Sequence, residues 1–220
     1  MHKKMHLELL CLLLASTIVP AQETPDAADI DAEAMRLMAG EDVKGMALAI
    51  IEDARVTHVA AFGHRNLERD LPLETDTIMY GASFTKTAFA YMVLQLVDEK
   101  RFELDKPLAE YLAKPIPGYE DYADLAGDDR WRLLTARHVL THSSGFANFR
   151  WLEDDGKLRF HFAPGERYAY SGEGFYLLQF ALEEGLGLDV KAEMQHRIFD
   201  RLRMPKTSMQ WRTDFSENLA

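Results

Sequence analysis

Apolar residues recur along this chain with two different periods, and the alternation between them predicts its elements. Between residues 27 and 40, Ile30, Ala34, Leu37 and Met38 fall three and four apart on one side of a short amphipathic helix. Residues 46–51 and 56–62 are continuous apolar runs separated by Glu52-Asp53-Ala54-Arg55, the pattern of a β-hairpin with a four-residue connection. From Ser83 onward, Ala88, Phe89, Met92, Val93, Leu96 and Val97 return to helical spacing and form the longest apolar helical pattern in the chain. Pro107, Pro115 and Pro117 punctuate a loop-rich stretch up to about residue 130, and residues 139–142 end a short helix. Pro164-Gly165 marks a turn, and residues 175–184 and 190–202 read as two further amphipathic helices. Two strands against at least five helices is an unbalanced inventory, because a lone hairpin is marginally stable and offers those helices little sheet to cover. No internal repeat, low-complexity tract or linker divides the chain.

The first 21 residues break the pattern. Lys3 and Lys4 precede an apolar stretch over 9–19 that closes on Val19-Pro20-Ala21. That stretch is too short to span a bilayer comfortably but fits a secretory signal peptide, with cleavage expected after Ala21 and residues 22–220 as the mature domain. The single cysteine, Cys11, lies inside this segment, so the mature chain has no disulfide, thiolate nucleophile or cysteine-ligated metal site. At 220 residues and 47% hydrophobic, the chain is long enough for one domain with its own core. Its formal charge of −11 argues against bulk electrostatic binding to nucleic acid or anionic lipid. Together these features predict a periplasmic or secreted bacterial protein with no stable membrane span once the signal is removed.

The candidate chemistry begins at Ser83-Phe84-Thr85-Lys86. A serine hydroxyl needs a nearby base before it is a useful nucleophile, and a lysine three residues later on a helix shares its face. Gly81-Ala82 precede the serine, which predicts that it sits at the helix start, where free backbone N–H groups and the positive dipole end favour a developing anion. A lysine amine at the mouth of a buried helix loses solvation and can then serve as the base. Ser-x-x-Lys alone is a weak signal, equally satisfied by an N-cap serine followed by a solvated lysine. A second stretch, Tyr168-Ala169-Tyr170-Ser171-Gly172-Glu173-Gly174, presents a phenol on a turn. Beside a lysine ammonium, such a phenol can move protons between nucleophile and leaving group.

Four segments in order resemble the serine β-lactamase and penicillin-binding superfamily, in particular its class C-like branch of esterases and D-amino-acid peptidases. They are Tyr80-Gly81-Ala82-Ser83-Phe84-Thr85-Lys86; Leu140-Thr141-His142-Ser143-Ser144-Gly145; Phe162-Ala163-Pro164-Gly165 leading to Tyr170-Ser171-Gly172; and Ile198-Phe199 through Met204 with Thr207-Ser208-Met209. The resemblance implies an α/β (α+β) fold of β-lactamase/transpeptidase type, with the hairpin belonging to an antiparallel sheet whose other strands are missing. It implies Ser83 as acylated nucleophile, Lys86 as its base partner and Tyr170 as proton relay, acting without cofactor or metal on an amide, ester or β-lactam. The expected partner is a small-molecule or peptidoglycan-like substrate. A penicillin-binding or peptidoglycan-sensing module that acylates without turnover, and an inert fragment of a longer hydrolase, are the alternatives.

Two departures qualify the resemblance. The branch usually has Asn two residues after the tyrosine, and this chain has Gly172, which moves weight from β-lactamase toward esterase or peptidase. The family's Lys-Thr-Gly or His-Thr-Gly strand has no good counterpart: Lys206-Thr207-Ser208 lacks the glycine and any alternating strand pattern. The expectation is therefore a domain truncated at its C-terminus, with little activity of its own. His138 and His142 have zinc-ligand spacing but lack the following glutamate, so His142 is expected to hydrogen-bond backbone. Trp131, Trp151 and Trp211 are expected to pack in core or loops.

Overall fold

The computed structural model describes residues 25–220, so the expected signal segment lies outside the described residues. The chain divides after Thr75 into two compact units.

In the first unit, α1 (Ala27–Gly40) starts at Asp26, whose carboxylate accepts the Asp29 N–H at 2.8 Å. It buries Ala34 and Met38, but Leu37, expected on the same side, is exposed. Strands β1 (Gly45–Glu52) and β2 (Arg55–Asn66) form the expected antiparallel hairpin, and His58 of β2 reaches Asp31 of α1 at 2.7 Å. The connection is tighter than the four residues anticipated. Glu52 pairs with Arg55, and only Asp53 and Ala54 turn the chain, with φ of 47° and 59°. Two consecutive positive φ values are the geometry that matches the natural twist of a hairpin. A third strand, β3 (Leu71–Pro72), pairs with the far end of β2 and was too short to register as a pattern.

The second unit is helical. In α2 (Phe84–Asp98), Phe89, Met92, Val93 and Leu96 are buried, with Ala88 and Val97 half-buried beside them, as the spacing predicts. Each buried side chain of this size contributes roughly 1.5–3 kcal/mol. The proline-punctuated stretch is more ordered than a loop. Pro107 and Pro115 immediately precede short 3₁₀ turns at Leu108–Tyr111 and Ile116–Gly118, and two more follow at Glu120–Leu125 and Asp129–Leu133. Each turn drives an apolar anchor into the core: Leu108, Ile116, Leu125 and Trp131.

Helix α3 (Ala136–Leu140) is capped by Thr135, and α4 (Gly172–Leu186) by Ser171, whose hydroxyl accepts the Gly174 N–H at 3.0 Å. Gly187, with φ of 65°, ends α4 in the left-handed conformation that glycine adopts without penalty. Helix α5 (Val190–Met194) continues as a π turn over Gln195–Phe199 in place of the single helix predicted over 190–202. Of the three tryptophans only Trp131 is buried; Trp151 and Trp211 are exposed. Among the described residues, no helix is long and apolar enough to cross a membrane.

Candidate active site

Ser83 lies at the first turn of α2 with its backbone already helical (φ −73°, ψ −9°), and its side chain makes no cap bond. The residue is exposed, as are Tyr80 and Phe84 near it in the chain. Ala82, just before it, has φ of 42°, a left-handed conformation that costs a non-glycine residue about 1 kcal/mol. Strain of this kind persists only where the surroundings hold it, and it gathers at functional sites. The first N–H groups of α2 are less available than a regular helix start would make them. Those of Phe84, Thr85 and Lys86 donate to Gly81, Ala82 and Ser83 carbonyls at 3.0, 3.2 and 3.1 Å.

One helical turn along, Lys86 Nζ donates to Ser83 Oγ at 3.1 Å. The half-buried ammonium also lies 5.2 Å from the Tyr170 ring centroid and 5.7 Å from that of Phe175. Tyr170 thus joins Ser83 and Lys86, although 84 residues separate it from the lysine in the chain. Hydrogen bonding to Ser83 is the main cause that holds the Tyr170 phenol below its ordinary range. Burial opposes that effect, and the Lys86 hydrogen bond and charge reinforce it. A phenol tuned in this direction exchanges a proton more readily near neutral pH.

The Tyr170 ring is held from behind by His142, stacked at 4.3 Å between centroids with 29° between planes. His142 accepts the Ser171 N–H at Nδ1 (3.1 Å), and its carbonyl accepts the Ala169 N–H (2.8 Å), so it grips the residues on both sides of the tyrosine. This backbone role is the one expected of it. An accepting Nδ1 puts the ring proton of the neutral imidazole on Nε2. Burial, followed by the Lys86 charge, holds His142 below the ordinary imidazole range. His138, its partner at zinc-like spacing, instead has Nε2 3.0 Å from where a Cβ on Gly165 would lie.

The turn bearing Tyr170 is anchored by residues that sequence reasoning did not single out. Ser171 is buried; besides capping α4, its hydroxyl donates to the Ala147 carbonyl at 2.9 Å. Glu173 is almost fully buried and accepts from the Arg150 N–H at 2.8 Å, from Nε at 3.1 Å and from Nη2 at 2.7 Å. Arg150 Nη1 donates onward to the Asp121 carbonyl at 2.7 Å. The only local signal for this pair was an acidic residue in the first turn of a helix. Lys206, considered above as a remnant of the third family element, instead donates to Asp76 at 2.5 Å in an exposed ion pair.

A family model described as Beta-lactamase matches residues 30–220. The chain belongs to the beta-lactamase family. An uncharacterized protein of Alkalihalophilus pseudofirmus is 27% identical over 179 residues, 81% of this chain and 47% of the relative. A D-aminopeptidase of Gluconobacter oxydans is 25% identical over 172 residues, 74% of this chain and 32% of the relative. Among solved structures, the octameric penicillin-binding protein homologue from Pyrococcus abyssi superposes with a TM-score of 0.68 at 24% identity, covering 89% of this chain and 47% of that one. The α/β fold of this family member is thus of the β-lactamase/transpeptidase type. The chain spans about half the length of the relatives it matches, or less.

Proposed function

We propose that the protein is an exported serine hydrolase that forms an acyl-enzyme on Ser83 from an amide, ester or β-lactam. The observation that carries this reading is the 3.1 Å approach of Lys86 Nζ to Ser83 Oγ, with the Tyr170 ring centroid 5.2 Å from the same ammonium. As Ser83 Oγ attacks the substrate carbonyl, the hydroxyl proton passes to the Lys86–Tyr170 pair. The Oγ–C bond forms and the carbonyl oxygen takes up negative charge. Ser83's own N–H, ahead of the run of tied N–H groups, is the donor proposed for that oxyanion. Collapse expels the leaving group, which takes the proton back from Tyr170. Water, deprotonated by the same pair, then releases the acyl group.

The named relatives support a D-amino-acid or peptidoglycan-like substrate, one of them being a D-aminopeptidase and another a penicillin-binding protein homologue. The basic, apolar and small-residue order of residues 1–21 supports export. Labelling with a fluorophosphonate or a fluorescent penicillin, located by peptide mass spectrometry, tests the nucleophile. The label is expected on Ser83 and absent from Ser83→Ala. Lys86→Ala and Tyr170→Phe should each slow acylation by roughly 10²- to 10⁴-fold. Labelling that persists at another serine in Ser83→Ala would overturn the assignment.

A further inference from the structure

Strand β1 pairs with β2 alone among the described residues and stands at one end of its sheet. One bond fixes which of its backbone groups meet that neighbour. The His64 N–H donates to the Lys44 carbonyl at 2.8 Å, and the pairs from Gly45–Gly63 to Ile50–His58 continue the same register. Antiparallel pairs alternate between bonded and non-bonded, so Lys44, Met46, Leu48 and Ile50 turn their backbone groups toward β2. Gly45, Ala47, Ala49 and Ile51 turn theirs to the other edge. The irregularity of the hairpin falls on β2, where Thr57 is the extra residue between Val56 and His58, so β1 stays regular along its length.

Native proteins blunt an open edge with charge, proline or a bulge. Residues 45–51, Gly-Met-Ala-Leu-Ala-Ile-Ile, carry none of these. Ala47, Ala49 and Ile51 are exposed besides. Charge appears only at the ends, with Lys44 just before the strand and Glu52 as its last residue. Such an edge is complementary to itself. Laid antiparallel on a second copy about Leu48, it sets Ala47 opposite Ala49 and Gly45 opposite Ile51, all of them edge-facing residues. Lys44 then lies opposite Glu52 at both ends, and Leu48 meets Leu48 on the two-fold axis. A slip of one residue sets edge-facing groups opposite groups that turn away, and a slip of two separates the charges. Parallel alignment in register puts like charges side by side.

We propose that β1 is a homodimer interface, through which two copies of this chain join β1 to β1 antiparallel in the register centred on Leu48. The association is independent of the chemistry at Ser83. One added strand pair is smaller than a standard protein interface, so the dimer belongs to the weak, reversible class.

Sedimentation velocity on the full chain, loaded from about 1 to 500 μM, covers that range. A monomer–dimer equilibrium that follows concentration is expected. Ala47→Pro removes an edge-facing N–H while sparing the ladder to β2, and should leave monomer at every loading. Lys44→Glu and Glu52→Lys each turn two attractive end pairs into repulsive ones and should weaken the dimer roughly tenfold. Both reversals in one chain should restore it, since the antiparallel pair then reads Glu against Lys. The charge variants leave the backbone untouched and decide the matter alone if Ala47→Pro disturbs the hairpin. Monomer at all loadings, a dimer indifferent to the single reversals, or a double reversal that fails to rescue overturns the interface. Assembly beyond the dimer also overturns it, because pairing uses up the β1 edge.

Discussion

Replacing Glu173 with glutamine keeps the shape of the side chain and removes its charge. The carboxylate accepts three hydrogen bonds from Arg150, two of them from the guanidinium. Glutamine can still accept the Arg150 backbone N–H, but its amide NH₂ would face a guanidinium donor and leave the cation without a counter-ion. Breaking a fully buried pair by removing one partner costs about 3–5 kcal/mol. Here the Arg150 side chain retains 27% exposure and its bond to the Asp121 carbonyl, so it can partly rehydrate. The expected loss is therefore about 2–4 kcal/mol, a shift of roughly 10 °C in Tm for a unit of this size. Urea titration followed by tryptophan fluorescence measures it directly. Changing both partners, Arg150→Met with Glu173→Leu, should recover much of the loss, because no uncompensated charge then remains. A Glu173→Gln variant within 1 kcal/mol of the parent would show that the pair is not the anchor of the turn.

Other predictions follow from the same region. His142 is held below its ordinary range by burial and by Lys86, so the unfolded chain binds a proton at this ring before the folded one does. Its contribution to stability is complete above about pH 6.5 and falls as the pH drops from there toward the folded value. The stability difference between parent and His142→Asn should therefore shrink as urea titrations move from about pH 7.5 to 5, and a difference that grows would refute the assignment. Gly145, at φ of 91°, has the Phe162 carbonyl oxygen 2.4 Å from its would-be Cβ. Gly145→Ala combines a forbidden backbone conformation with a main-chain clash and should lose about 2–4 kcal/mol in the same titration. In acylation kinetics, the phenol of Tyr170, held low, should give a rate that rises with pH and levels off before the ordinary phenol range. Tyr170→Phe should lose that limb.

The parts of this fold that sequence alone could reveal are those governed by neighbours within a turn or two. The buried stripe of α2 and the two strands of the hairpin are of that kind, as is the Ser83–Lys86 face, because helix and strand periods place side chains without reference to the rest of the chain. The two-residue hairpin turn is not legible in the apolar runs because Asp53 and Ala54, unlike Asn-Gly, do not advertise positive φ. The 3₁₀ turns between residues 108 and 133 are hidden because each, at three to six residues, is too short to show a period. Tyr170 was placed with Ser83 and Lys86 through family resemblance, since no local rule joins residues so far apart. Glu173 and Arg150, 23 residues from each other, show no more than an acidic residue in a helix's first turn, and nothing local joins the two. Each becomes visible only when the turn after Tyr170 closes on the segment around residue 149.

Ser171 gives that turn an internal control. Its hydroxyl both accepts from Gly174 and donates to Ala147, and only 1% of its surface meets solvent. Beside an exposed Ser83, it is a second hydroxyl of the same chemistry that an electrophile can reach only if the cap of α4 comes undone. The ratio of adducts on the two serines therefore reports chemoselectivity and conformational integrity from one digest. Modification confined to Ser83 certifies an intact site, and the appearance of label on Ser171 times its opening.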